Sequence, residues 1–148
     1  MRKNHRGELL INLLVSIGIM VIIITLSIPM LNNFKPNLAL SSTIRDLTTD
    51  LRYAQQLTIT EQTVHIVDFN ELNNSYQILK IGIATTTIKT VEFPSEVSYQ
   101  NITGLTNNQV RFNSYGGVKE LGEIILMNTT GNTKTINIKP SGYVQLAQ

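Results

Sequence analysis

The sequence predicts an α+β protein: a long N-terminal helix, its first half apolar and its second half amphipathic, packed on a domain of antiparallel β-sheet. Three observations predict it. No charged residue occurs from Leu9 to Leu31. Beyond that run, Leu40, Ile44, Leu47, Leu51, Ala54 and Leu57 recur at intervals of three and four, the repeat of one helical face. After Thr63 the repeat falls to two, as in a strand with one buried face.

The apolar run comes first. At about 1.5 Å of rise per residue it is long enough to cross a bilayer core of about 30 Å. A secretory signal has a shorter apolar region and a small-residue cleavage site, and no such site follows here. A membrane-inserted helix is therefore the expected reading, with a cleaved signal and a buried soluble helix as the alternatives. Arg2, Lys3 and Arg6 precede the run and should stay on the cytoplasmic side, placing the remainder of the chain outside. Within the run Pro29 cannot donate a hydrogen bond to Thr25 and should bend the helix, and Thr25 and Ser27 can soften that bend by bonding to backbone. Pro36 disfavours helix at Lys35 and predicts a kink or short break.

From Asn37 to about Gln62 the helical pattern returns, with Arg45, Asp46, Asp50, Arg52, Gln55 and Glu61 largely off the apolar stripe. Asp46, Asp50 and Arg52 read as solvated charges. Strands are expected at Val64–Phe69, Ser75–Ile81, Thr85–Phe93, Val97–Ile102, Gln109–Asn113, Glu123–Asn128, Lys134–Lys139 and Tyr143–Leu146. Between them, Asn70–Asn74, Tyr115–Gly117, Thr130–Asn132 and Pro140–Gly142 carry turn chemistry.

Composition bounds the rest. The 148 residues hold one domain plus the helix, and without cysteine there is neither a disulfide framework nor a thiolate metal site. From Asn32 onward nine Lys/Arg face nine Asp/Glu, so the exported part is neutral and lacks the broad basic footprint of a nucleic-acid binder. Catalysis finds no support. His5 lies before the apolar run, and His65 sits on a strand with Val67 and Phe69 on its side, the setting of a structural histidine. No metalloprotease, nucleophile-elbow or phosphate-loop motif is present, and Asp68 with Glu71 supplies too few oxygens for a cation. The expectation is a non-enzyme with no cofactor and no metal.

A short basic leader, Gly7, and then Glu8-Leu9-Leu10-Ile11-Asn12-Leu13-Leu14 resembles the prepilin class, type IV pilins and type II secretion pseudopilins. A proline is usual at the twenty-second mature residue of that class, and counting from Glu8 reaches Pro29. Two positions depart from the pattern, Glu8 where an aromatic residue or Met is usual and Asn12 where the fifth mature residue is usually Glu. That carboxylate is thought to neutralise a neighbouring subunit's N-terminal ammonium, which Asn12 cannot do. Glu8 could substitute for it, the subunit could sit at a filament tip, or the change could carry no positional meaning.

Further segments are similar to the GspH/FimT-type minor pseudopilin domain: Asp50–Gln56, Phe93–Val97, Val110–Gly117, Gly122–Leu126 and Lys134–Val144. The resemblance implies a leader at 1–7 cut after Gly7, with N-methylation of Glu8. It implies a transmembrane assembly helix at 8–31 that uses Asn12 and Pro29, its amphipathic half at 32–62, and a GspH-like β domain at 63–148. The implied function is a minor pseudopilin or pilin subunit, assembled by its helix into a type II secretion pseudopilus or type IV pilus for protein secretion. Implied partners are the prepilin peptidase, other pilins or pseudopilins, the inner-membrane assembly platform and membrane lipid. The implied location is the cytoplasmic membrane, single-pass, then the filament. The alternative is a FimT-like minor pilin binding DNA in uptake and competence through Arg111, Lys119, Lys134 and Lys139. Nucleic acid is the less favoured partner, because the domain is neutral.

Overall fold

The computed structural model describes residues 5–142 and 144–147, and side chains are described for residue 7, residues 9–27 and residues 34 onward within that range, except 147. Arg2, Lys3 and Tyr143 lie outside the described residues, and for Arg6, Glu8 and Pro29 only the backbone is described. The chain divides into two compact units, one ending at Lys35 and the other beginning at Pro36.

The first unit is helical. Helix α1, His5–Glu61, is assigned without interruption, so the short break expected at Pro36 is absent. A proline removes one donor and biases the residue before it, but the hydrogen bonds of the adjacent turns can carry the helix through. Thr25 and Ser27 donate to the carbonyls of Val21 and Ile23 at 2.8 and 2.7 Å, the backbone bonding expected next to Pro29.

The second unit begins with the amphipathic half of α1. Leu40, Ile44, Leu47, Leu51 and Ala54 are all buried, and Leu57 is half-buried, so the three-and-four stripe is the packed face. The helix ends where Gln62 turns left-handed, φ 51°, with its side-chain amide donating to the Ile59 carbonyl at 2.8 Å. A left-handed residue just past the last turn is a common way to stop a helix. Glu61 in that turn takes a 2.7 Å ion pair from Lys80, which lowers the Glu61 carboxyl below its usual range and ties the helix end to the sheet.

Eight strands follow: β1 His65–Asn70, β2 Ser75–Ile81, β3 Thr85–Glu92, β4 Val97–Thr103, β5 Gln109–Phe112, β6 Gly122–Asn128, β7 Thr133–Ile138 and β8 Val144–Ala147. A short 3-10 turn, Thr106–Asn108, precedes β5. The strands form two antiparallel four-stranded sheets, in the orders β3-β2-β1-β5 and β4-β6-β7-β8. Alternation along each strand is what sends one set of side chains inward. Val67, Phe69, Tyr76, Ile78, Val110 and Phe112 come from the first sheet, and Val97, Ile124, Leu126, Ile136, Ile138 and Val144 from the second. Both sets join the helix stripe in one buried cluster.

Aromatic rings join the two sheets. Phe93 and Tyr99 pack in a tilted pair with centroids 4.8 Å apart, and Tyr99 also meets Phe69 edge-on at 6.2 Å. The Tyr99 hydroxyl donates to the Ser75 carbonyl at 3.0 Å, and burial raises its ionisation above the usual tyrosine value. Strand β4 of one sheet is thereby stitched to β2 of the other.

Candidate assembly helix and basic cleft

Two regions carry the residues singled out from sequence. In the first unit, Leu9–Ser27 is long and apolar enough to cross a membrane, with mean hydropathy 2.8 and none of its residues buried. Gly7 and Glu8 lie in its opening turns. A methyl group built on Gly7 would meet nothing within 4 Å, so packing within the chain does not demand glycine there. Asn12 is exposed. Its carbonyl accepts the Ser16 hydroxyl at 2.8 Å, while its amide has no partner among the described residues. Pro29 lies within the helix.

In the second unit two of the four basic candidates are engaged within the chain and two line one cleft. The Lys134 ammonium, half-buried, donates to the Ser41 hydroxyl of α1 at 3.0 Å. Lys139, just past β7, is exposed but engaged within the chain. Arg111 on β5 and Lys119 on the segment after it are brought together. Both line a cleft of about 180 Å³ that also includes Thr106, Gln109 and Glu120. Both also line an adjoining cavity of about 330 Å³ with Val64, Phe112 and Asn113. Glu120 accepts the Thr106 backbone N–H at 2.7 Å and the Thr106 hydroxyl at 2.9 Å. Those two bonds, the backbone one foremost, hold its carboxyl below the usual carboxylate range.

Asp50 corrects the sequence reading. It is buried, not solvated: its relative exposure is 6%. The Tyr76 hydroxyl donates to it at 2.7 Å and the Lys89 ammonium reaches both its oxygens at 2.8 and 2.7 Å. Desolvation, then the hydrogen bond to Asp50, pushes the Tyr76 phenol well above its usual value. The position was readable in part, since Asp50 lies three residues after Leu47 and four before Ala54, at the margin of the stripe. Its partners on β2 and β3 left no local signal.

Gln55 was also missed. Its amide donates to the carbonyls of Gly116 at 2.7 Å and Ser141 at 3.3 Å, so one helix side chain pins two turns that sequence had marked separately. Gly142 sits there at φ 73°, and a side chain on it would run into the Gly116 carbonyl and the Gln55 amide. His65 is fully buried beside Val67 and Phe69, as expected of a structural histidine. Its Nδ1 lies 2.9 Å from the Thr63 carbonyl, and its Nε2, 3.5 Å from Glu61, makes no hydrogen bond. Asp68 and Glu71 are occupied by Gln109 and Asn108, and among the described residues no group of three or more acids or histidines could hold a metal.

Solved structures share this fold. The chain is similar to the minor pseudopilin EpsH from the type 2 secretion system of Vibrio cholerae, with TM-score 0.64, 9% identity, and 73% of this chain and 95% of that one covered. It is likewise similar to the type IV minor pilin FimU of Pseudomonas aeruginosa, with TM-score 0.63, 12% identity, and coverage of 78% and 92%. At these identities the likeness is one of fold. No protein-family model matches the chain, and no curated protein matches it by sequence.

Proposed function

We propose that this chain, whose fold is that of type IV minor pilins and pseudopilins, is a filament subunit processed after Gly7 and assembled through its N-terminal helix. The observation that carries the reading is an exposed apolar helix, Leu9–Ser27, directly behind Gly7 and ahead of a pilin-like domain. Among the described residues nothing lies within 4 Å of a side chain built on Gly7, which is compatible with a glycine kept for recognition by a prepilin peptidase. Cutting there makes Glu8 the new N-terminus, open to N-methylation. Until assembly the helix stays in the cytoplasmic membrane, with its basic end inside and the β domain outside.

Assembly then buries the helix among those of neighbouring subunits, where an unpaired charge or amide is costly. Asn12 offers a hydrogen bond but no counter-charge, so Glu8 is the group available to neutralise an ammonium. Pro29 supplies the bend of the assembly helix. The partners are the peptidase, other pilins or pseudopilins, the inner-membrane platform and lipid, and the filament is a type II secretion pseudopilus or a type IV pilus.

Mass spectrometry of the membrane-extracted chain, with and without co-expressed prepilin peptidase, tests this directly. A chain beginning at Glu8 only when active peptidase is present is the expected result. An intact leader with active peptidase would leave a plain membrane anchor. The second reading, DNA binding in uptake, draws on Arg111 and Lys119, which line one cleft. It is the weaker one because Lys134 and Lys139 are already engaged within the chain, and it requires strongly salt-dependent binding.

A further inference from the structure

Within Leu9–Ser27 the polar side chains are Asn12, Ser16, Thr25 and Ser27. The three hydroxyls donate to the backbone carbonyls four residues before them, at 2.8, 2.8 and 2.7 Å. A hydroxyl bonded back to its own helix has little to gain from a second one. Asn12 enters this set only through its backbone carbonyl, which receives Ser16. Its side-chain amide is exposed and has no partner among the described residues. An amide left open in hydrocarbon is costly. Asn12 stands one turn inside Leu9, and its single methylene lacks the reach by which Lys and Arg return to the interface.

The surface around that amide has a regular form. On an α-helix Asn12 shares a seam with Leu9, Ser16, Ile19, Ile23 and Leu26, at intervals of three, four, three, four and three. That is the 3.5-residue repeat by which two parallel helices interlock. None of these side chains is buried by the chain itself. Both polar residues in the first half of the run, Asn12 and Ser16, fall on this seam. Small and polar side chains are the ones that hold membrane helices together.

We propose that, before assembly, two copies of this chain pair in the membrane as parallel helices along this seam, each Asn12 amide donating to the side-chain carbonyl of the other. An amide holds both a donor and an acceptor, and it finds both on another amide at the same depth. Copies inserted with their basic ends inside run parallel and carry Asn12 at one depth. A carboxylate on a different subunit would accept from the amide but leave the Asn12 side-chain carbonyl open. The run contains no charge, and the basic leaders lie in water, where salt screens their repulsion. A two-fold pair is closed and does not propagate, so it belongs to the membrane store and parts as a filament grows. The pairing rests on the membrane helix proposed above, not on cleavage after Gly7.

The test is disulfide trapping of the full chain, leader intact, purified and reconstituted in phosphatidylcholine vesicles without peptidase. The chain has no cysteine, so one introduced thiol reports one position. Ile19→Cys, on the seam, is expected to yield covalent dimers on mild oxidation. Val21→Cys, on the far side of the helix, should yield about tenfold fewer, because a disulfide needs its two Cβ atoms close together. Asn12→Leu in the Ile19→Cys chain should lower the yield about fivefold, and leucine is a strong helix former, so the helix itself persists. Equal trapping at both positions overturns the proposal, as does undiminished trapping in the Asn12→Leu chain. Flotation with the vesicles separates the two readings. A chain that floats yet yields no dimer through Ile19→Cys removes the pairing alone, while one that does not float removes the membrane helix with it.

Discussion

Replacing Lys89 by Met removes, among the described residues, the one cation on a buried carboxylate and leaves Asp50 with the Tyr76 hydroxyl. Breaking a fully buried ion pair from one side costs about 3–5 kcal/mol. The Lys89 side chain is 46% exposed and Asp50 only 8%, so water replaces part of the lost interaction and the expected cost falls to about 1–3 kcal/mol. Tyr76→Phe removes a hydrogen bond to a charged acceptor and should cost about 1.5–3 kcal/mol. The decisive variant carries Asp50→Leu, Lys89→Met and Tyr76→Phe together. With no charge left to desolvate, it should lose less than the Lys89→Met single variant. Urea unfolding of the full chain in detergent, followed by tyrosine fluorescence, reads each cost as a midpoint shift at constant slope. A Lys89→Met variant within about 0.5 kcal/mol of the parent, the range of an ordinary surface change, would refute the idea that charge holds Asp50 in place.

Gly142→Ala forces a side chain into a left-handed position and against the Gln55 amide. Strain of about 1–2 kcal/mol and a lost hydrogen bond of about 1 kcal/mol should appear in the same unfolding assay, with Gln55→Ala giving only the smaller part. Tyr76 and Tyr99 have raised ionisation in the fold, so their stabilisation is complete below the unfolded value of about 10 and is lost as pH rises further. Ultraviolet titration should show these two phenols ionising only as the domain unfolds, and Tyr76→Phe should flatten the alkaline loss of stability. Glu120 is the opposite case: its lowered carboxyl contributes above the unfolded value and loses that contribution as pH falls through the folded one. Hydrogen-exchange protection of the Thr106 N–H should therefore decline below about pH 4.5, and Glu120→Gln should remove that dependence.

The helix stripe and the strands were legible because their signals are local. Helical and extended backbones present side chains at fixed short intervals, and this chain keeps those intervals: Ser75–Ile81 is β2 to the residue, and Leu40 to Ala54 is the packed face. The apolar run was legible for the same reason, as a contiguous stretch. What the tertiary structure alone decided is long-range. Strand spacing gives the pairing of Ser75–Ile81 with the strand before it across a short turn, but not the long-range partners, so the division into two sheets and the stitching of β4 to β2 lay beyond it. The burial of Asp50 depends on Tyr76 and Lys89, 26 and 39 residues away. The four basic candidates were equivalent as sequence. Folding ties Lys134 to Ser41 and puts Arg111, on β5 paired with β1, in the lining of the same cleft as Lys119.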